Sequence, residues 1–185
     1  SSSGAARAAP LLDDALRQHD AHWQAYLSSP PQTNEPLRSA VLLGGFGLVA
    51  QRFGLPLVLL EIGAGAGLNL CWDRFHYRLG ERSWGDADSP AQLVAEWRGT
   101  PPELPPHSAV AQRAACDRSP IDLTQPGSAQ RLASYVWPEQ HGRLARLQSV
   151  LAVAGAAGVH VEAAPWVERL LARTHPHGAW AEWWC

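Results

Sequence analysis

Lysine and methionine are absent from this chain of 185 residues, and all fifteen basic residues are arginine. Arginine in place of lysine on this scale is read as genome base composition rather than function. Cysteine is scarce: Cys71, Cys116 and Cys185 are an odd number without CxxC spacing. That argues against a disulfide scaffold and a zinc site, and a reducing cytoplasm is the natural compartment. No apolar run reaches the roughly 20 residues that span a bilayer; residues 41–49 are too few and are interrupted by glycine. Residues 1–10 lack the charged start and apolar centre of a signal peptide. Because the first residue is not methionine, the N-terminus is expected to lie upstream. The net charge is -2, the pI is near 6.4, and no basic stripe appears, which argues against a nucleic-acid-binding module. A G-x-S-x-G elbow, an HExxH pair and a P-loop are missing as well.

What is present is an ordinary globular composition, 46% hydrophobic and 17% charged, long enough for one α/β domain. Nine tryptophans are unusual. Trp23, Trp84, Trp97, Trp180, Trp183 and Trp184 sit in polar neighbourhoods, where they either pack under loops or line a pocket or interface.

Leu12, Leu16, His19, Trp23 and Leu27 fall near a 3.6 period and predict a helix over residues 11–27, stopped by Ser28, Ser29, Pro30 and Pro31. A second, largely apolar helix is expected over 37–52, ended by Gly54. Residues 57–60 are a continuous apolar run, as in a strand buried on both faces of a parallel sheet. A helix is expected over 68–75. Residues 82–106, rich in Pro, Asp, Gly and Trp, read as an insertion with one short strand at 92–97. Residues 110–116 make a second strand and 120–127 a loop. Leu144, Leu147, Leu151 and Ala154 share one face of a helix over 140–157, with Gly158 beyond its end. A strand at 159–163 and a helix at 165–173 follow, and 174–185 have no clear period. This alternation predicts an α/β, Rossmann-like parallel sheet with flanking helices at residues 56–185, preceded by N-terminal helices at 1–55. Three strands make a thin sheet: either further strands lie in the tail or part of the chain is absent.

The segment from Leu57 to Leu70 reads L-V-L-L-E-I-G-A-G-A-G-L-N-L. A buried strand closes in Glu61, Gly63, Gly65 and Gly67 alternate, and a helix is expected to follow. Glycines there let the backbone turn sharply and approach a ligand closely. A following helix would present free N–H groups and a positive dipole end. The spacing E-x-G-x-G-x-G, with the acid first, resembles the first motif of class I S-adenosylmethionine-dependent methyltransferases. The alternative is a strand-to-helix turn with glycines for tight packing. A second acid is expected at the end of a neighbouring strand, to hold ribose hydroxyls. Asp117 follows the strand at 110–116 and has the best context; Glu81 and Asp86 lie nearer but among turn residues. The expected cofactor-binding set is therefore Glu61, Gly63, Gly65, Gly67, Asn69 and Asp117. Asn69 and Asp73, four apart, would share a helix face and line the cleft, or Asp73 would pair with Arg74, Arg78 or a backbone donor.

Asn34, Glu35 and Arg38 precede a helix and are read as its caps. Asp117 and Asp122 flank Pro120, suited to acid–base work or simply to a turn. Pro138 and Glu139 suit the first turn of a helix. His175 and His177 resemble half of a metal site, but no third ligand is evident and no metal is expected.

Thr33-Asn-Glu-Pro-Leu-Arg-Ser39, Leu60-Glu-Ile-Gly-Ala-Gly-Ala-Gly-Leu-Asn-Leu70, Trp84-Gly-Asp86, Asp117-Arg-Ser-Pro-Ile-Asp122, Val136-Trp-Pro-Glu139 and His175-Pro-His-Gly-Ala-Trp180 occur in this order. Together they resemble the uncharacterised domain-of-unknown-function family 2332, from about Thr33 to the end. The resemblance implies a bacterial protein with a methyltransferase-like Rossmann fold. It implies no established reaction and carries over no catalytic residues. Ala64-Gly65 stands where that family usually has Ala-Ser, which brings the chain nearer the methyltransferase pattern. Members of the family are longer, so residues are expected to be missing around Leu170 and Leu171. The functional expectation is a cytoplasmic, S-adenosylmethionine-binding protein that methylates a small molecule, with no nucleic-acid or membrane partner. The rivals are another nucleotide-cofactor enzyme, such as an oxidoreductase, and a non-catalytic binding or scaffold module on the same fold.

Overall fold

The computed structural model describes residues 2–100, 103–105, 107–164 and 179–184, of which 2–6 and 179–184 are described by their backbone alone. The chain divides into two compact units, Ser1–Gln32 and Thr33–Cys185. The first holds helices α1 (Ser2–Gln18) and α2 (Asp20–Leu27). The single helix expected over 11–27 is thus two. His19 leaves helical geometry at φ -123° and ψ 33°, and Asp20 opens the second helix, where an acid suits the helix dipole.

The second unit begins with α3 (Arg38–Phe53), which therefore goes with the sheet rather than with the helices before it. Gly54 ends α3 in the left-handed conformation at φ 64°, and its amide bonds back to Ala50. Strand β1 (Leu57–Ile62) follows at once. All six of its residues are buried, which is why it reads as an unbroken apolar run. After the glycines the chain makes a 3-10 helix (Leu68–Arg74), not the α-helix expected. It then builds a small separate sheet from β2 (His76–Leu79), β3 (Arg82–Trp84) and β4 (Gln92–Ala95), in the order β3-β2-β4. Strands β2 and β3 are antiparallel across a two-residue turn at Gly80-Glu81, while β2 and β4 are parallel. Strand β5 (Val110–Asp117) returns beside β1. Helices α4 (Ser128–Ser134) and α5 (His141–Ala157) lead to β6 (Val161–Ala163), and β7 is Ala179–Trp184.

The main sheet runs β6-β5-β1-β7, with every pairing parallel. The fold is mixed α/β and Rossmann-like, a small parallel sheet flanked by helices and preceded by N-terminal helices. The tail does hold a further strand, β7. The helix expected at 165–173, the gap expected near Leu170 and the pair His175 and His177 lie outside the described residues. Residues 137–140 form a turn closed by the Gln140 amide on the Trp137 carbonyl, so Pro138 and Glu139 precede α5 rather than open it.

The core lies on the face of β1 that carries Leu57 and Leu59, under α3, α5 and the 3-10 helix. Phe46, Trp72 and Trp84 stack across it, with ring centroids 4.9 Å and 5.4 Å apart. The Trp84 indole donates to the Pro105 carbonyl at 2.6 Å, so this tryptophan packs under a loop. Gly85, at φ 94°, passes so close to the Phe75 carbonyl that a Cβ would sit 2.1 Å from its oxygen.

Candidate functional site

The order β6-β5-β1-β7 places β5 and β6 on one side of β1 and β7 on the other. The carboxyl end of β1 is thus the point where the strand order reverses, the usual ligand crevice of open parallel sheets. The glycine loop sits at that point. Gly63, Gly65 and Gly67 all take positive φ, 67°, 60° and 71°, a conformation that glycine adopts without the usual penalty. Their surroundings differ. A Cβ on Gly67 would meet the Val159 and Val161 side chains at 2.9 and 3.0 Å, so this glycine permits close packing against β6. A Cβ on Gly63 would meet nothing within 4 Å, so this glycine borders open space.

The amides of the loop are all used internally. Gly63 and Ala64 donate to the Cys116 carbonyl at 2.9 and 3.3 Å, and Gly67 donates to the Ala64 carbonyl at 2.8 Å. Gly65 donates to Asp117 Oδ2 at 2.8 Å, and Ala66 to Asn34 Oδ1 at 3.3 Å. The loop is thus clamped from both sides by residues far away in sequence. The helix after it is a seven-residue 3-10 segment, so the dipole of a full α-helix expected there is lacking.

Glu61 lies at the end of β1 on the core face, 2% exposed, and its Oε2 has no hydrogen-bond partner among the described residues. Burial pushes its carboxyl up from 4.5 to about 8; the Arg38 guanidinium pulls it partly back, and Asp117 adds to the rise. Asn69 is buried in the 3-10 helix, and its Oδ1 also lacks a partner among the described residues. Asp117 ends β5 beside the loop, where its Oδ1 accepts the Ser119 amide at 2.8 Å while Oδ2 holds Gly65.

Other expected residues go elsewhere. Asp73 pairs with Arg113 in the middle of β5, and Arg113 Nε also holds the Leu70 carbonyl at 2.8 Å. That contact anchors the 3-10 helix to the sheet; the ion-pair partner of Asp73 is Arg113 rather than Arg74 or Arg78, and its Oδ1 has no hydrogen-bond partner among the described residues. Asp122 is fully exposed. Hydrogen bonds from the Thr124 hydroxyl and amide, then from Gln125, hold its carboxyl below the ordinary value, which is turn chemistry rather than acid–base chemistry. Glu81 lies in the β2–β3 turn, and Asp86 Oδ1 accepts the Asp88 amide at 3.0 Å. Of the three residues read as caps, Glu35 holds the Leu37 amide at 3.1 Å and pairs with Arg143 and Arg146 of α5 at 2.9 and 3.2 Å. Arg38 reaches back to the Thr33 carbonyl at 2.9 Å. Asn34 does not cap but reaches the glycine loop. It is the site residue that local sequence reasoning missed.

A family model described as "Uncharacterized protein conserved in bacteria (DUF2332)" matches residues 1–172. The chain belongs to this family. No curated protein and no solved structure matches it. Among the described residues no helix is long and apolar enough to cross a membrane, and no three His, Cys, Asp or Glu side chains are grouped to hold a metal.

Proposed function

We propose that this protein binds S-adenosylmethionine at the carboxyl end of β1 and transfers its methyl group to a small molecule. One observation carries the reading: among the described residues the glycine loop borders open space at Gly63, yet each amide from Gly63 to Gly67 already has an acceptor. A pyrophosphate needs such donors, so the loop suits a dinucleotide poorly. What the site offers instead is two buried side-chain oxygens with no partner among the described residues, Asn69 Oδ1 and Glu61 Oε2, the latter an acceptor once its carboxyl ionises. They complement a ligand that carries donors and positive charge. The residues present therefore fit S-adenosylmethionine, with its ammonium and sulfonium groups, better than NAD.

When bound, S-adenosylmethionine supplies an electrophilic methyl group. The protein's part is alignment, which contributes much of the rate in group transfer and requires no triad or metal. Glu61 and Asn69 would hold the donor-bearing end, and Gly63 would let the ligand come close. Asp117 already accepts two backbone amides, but a carboxylate has about four lone-pair positions, so its capacity for ribose hydroxyls is not exhausted. Calorimetry with S-adenosylmethionine, S-adenosylhomocysteine, NAD and NADP tests the proposal. The expected result is binding of the first two and none of the dinucleotides. Binding of NAD or NADP alone would move the protein to the oxidoreductases, and binding of none would leave a non-catalytic module.

A further inference from the structure

In the run Thr33-Asn-Glu-Pro-Leu-Arg-Ser39, Asn34 reaches the glycine loop and Glu35 reaches α5. The middle of the run is anchored in the core. Pro36 is buried, its carbonyl accepts the Ser39 hydroxyl at 2.6 Å, and the Ser39 oxygen in turn accepts the buried Tyr77 hydroxyl at 2.9 Å. Asn34 and Glu35 lie beyond this anchor, outside α3, and the proline that follows disfavours helical backbone at Glu35.

Glu35 ties this short link to α5. Its Oε1 accepts Arg146 Nε at 3.2 Å and the Leu37 amide at 3.1 Å, and Arg143 Nε stands 2.9 Å from its Oε2. The three side chains are 23%, 24% and 25% exposed, so solvent screens their charges only in part. One carboxylate faces two guanidiniums, and its charge offsets their mutual repulsion as well as pairing with each. One residue earlier, Asn34 accepts the Ala66 amide at 3.3 Å. That is at the long limit of an N–H···O bond, so a shift of a fraction of an ångström forfeits it. The neighbouring Gly65 amide is held at 2.8 Å by Asp117, on a different element. Helix α5 meets the loop at its other end too, where Val159 and Val161, which follow it, close on Gly67.

We propose that Glu35 is a positioning residue, which carries the placement of α5 through Asn34 to the Ala66 side of the glycine loop. That this sets ligand affinity rests on the S-adenosylmethionine reading; the coupling itself does not. Glutamine at position 35 keeps an acceptor for the Leu37 amide but loses the charge that holds two arginines. The link then lifts more often, which frees Ala66 and leaves Gly65 on Asp117.

Residue-resolved hydrogen exchange by NMR, together with calorimetry, tests this on the full chain. In Glu35→Gln the Ala66 amide should exchange roughly tenfold faster, as expected when a hydrogen bond to a charged group is lost, while Gly65 stays within about twofold of wild type. Affinity for S-adenosylmethionine should fall by a similar factor. Asn34→Ala removes the acceptor itself, so adding Glu35→Gln to it should change neither Ala66 exchange nor affinity further. A purely structural loss would instead speed Gly65 and Ala66 alike and would add in the double variant; either result overturns the proposal. So does unchanged exchange at Ala66, or unchanged affinity where the wild type binds S-adenosylmethionine. The expected exchange pattern in a protein that binds no S-adenosylmethionine would sink the cofactor reading and leave the positioning role standing. Should Glu35→Gln fail to fold, Arg143→Gln combined with Arg146→Gln puts the same question from the side of α5.

Discussion

Replacing Glu61 by glutamine separates the cost of a buried charge from everything else the residue does. The carboxyl is 2% exposed and titrates at about 8 in the fold, against 4.5 for an unperturbed glutamate. Its folded value is raised, so the unfolded chain loses the proton first as pH rises. The stabilising contribution of the neutral acid is complete below pH 4.5, declines above it, and is gone once pH has passed through about 8. At about 1.4 kcal/mol per pH unit over this window, the accumulated loss is on the order of 5 kcal/mol. Total stabilities of single domains are only about 5–15 kcal/mol, so the wild type should be marginal at pH 9. Glutamine cannot ionise and should show no such slope. Any packing or hydrogen-bond change it brings is constant with pH and cancels from the comparison. Urea denaturation of both proteins at pH 5, 6, 7, 8 and 9 gives the difference directly. Glu61→Gln should gain steadily on wild type up to about pH 8 and then level off. Two stability curves that stay parallel from pH 5 to pH 9 would refute the reasoning, because they would mean that Glu61 is ionised in the folded protein throughout.

The other predictions concern the loop and its supports. Binding of S-adenosylmethionine near pH 7 should release up to one proton from Glu61, since a cation beside a buried acid favours its charged form; calorimetry in two buffers of different ionisation enthalpy measures the count, and the release should vanish in Glu61→Gln. Gly63→Ala and Gly67→Ala should separate ligand space from packing. Both carry the strain of positive φ, but only Gly67→Ala drives a Cβ into Val159 and Val161, so it should cost about 1–3 kcal/mol more in urea denaturation. Gly63→Ala should instead lose S-adenosylmethionine affinity, at least tenfold by calorimetry. Asp117→Ala frees the amides of Gly65 and Ser119 and should destabilise by about 2–4 kcal/mol in the same denaturation assay. Asp73→Ala leaves Arg113 unpaired at 18% side-chain exposure and should cost about 3 kcal/mol. In a double-mutant cycle Arg113→Leu should recover much of that loss.

Legibility in the sequence follows from how local each feature is. Strand β1 shows as an apolar run because both of its faces are covered. The position of Asp117 shows because an acid after such a run falls at a strand end. The 3-10 helix is hidden, since seven residues are too few to separate a period of 3.0 from one of 3.6. The β2–β3 hairpin leaves a short signal beyond the helix expected over 68–75: Tyr77 and Leu79 alternate inward just before the two-residue turn at Gly80-Glu81. Helix α4 has one buried residue, Leu132, and therefore no stripe to read. Asn34 left no trace at all. Its partner Ala66 is 32 residues away, and an asparagine before a helix looks like a cap whatever it touches.

The double clamp on the glycine loop has a consequence for motion. Its amides bond to a strand end about fifty residues later and to a segment about thirty residues earlier, as well as to each other. The loop cannot fray by itself; opening it means detaching β5 or lifting the 34–38 segment. Its protons should therefore exchange with solvent deuterium at the rate of the sheet, not at the rate of a surface loop. A ligand arriving there meets a surface already in its final form and loses little affinity to ordering it.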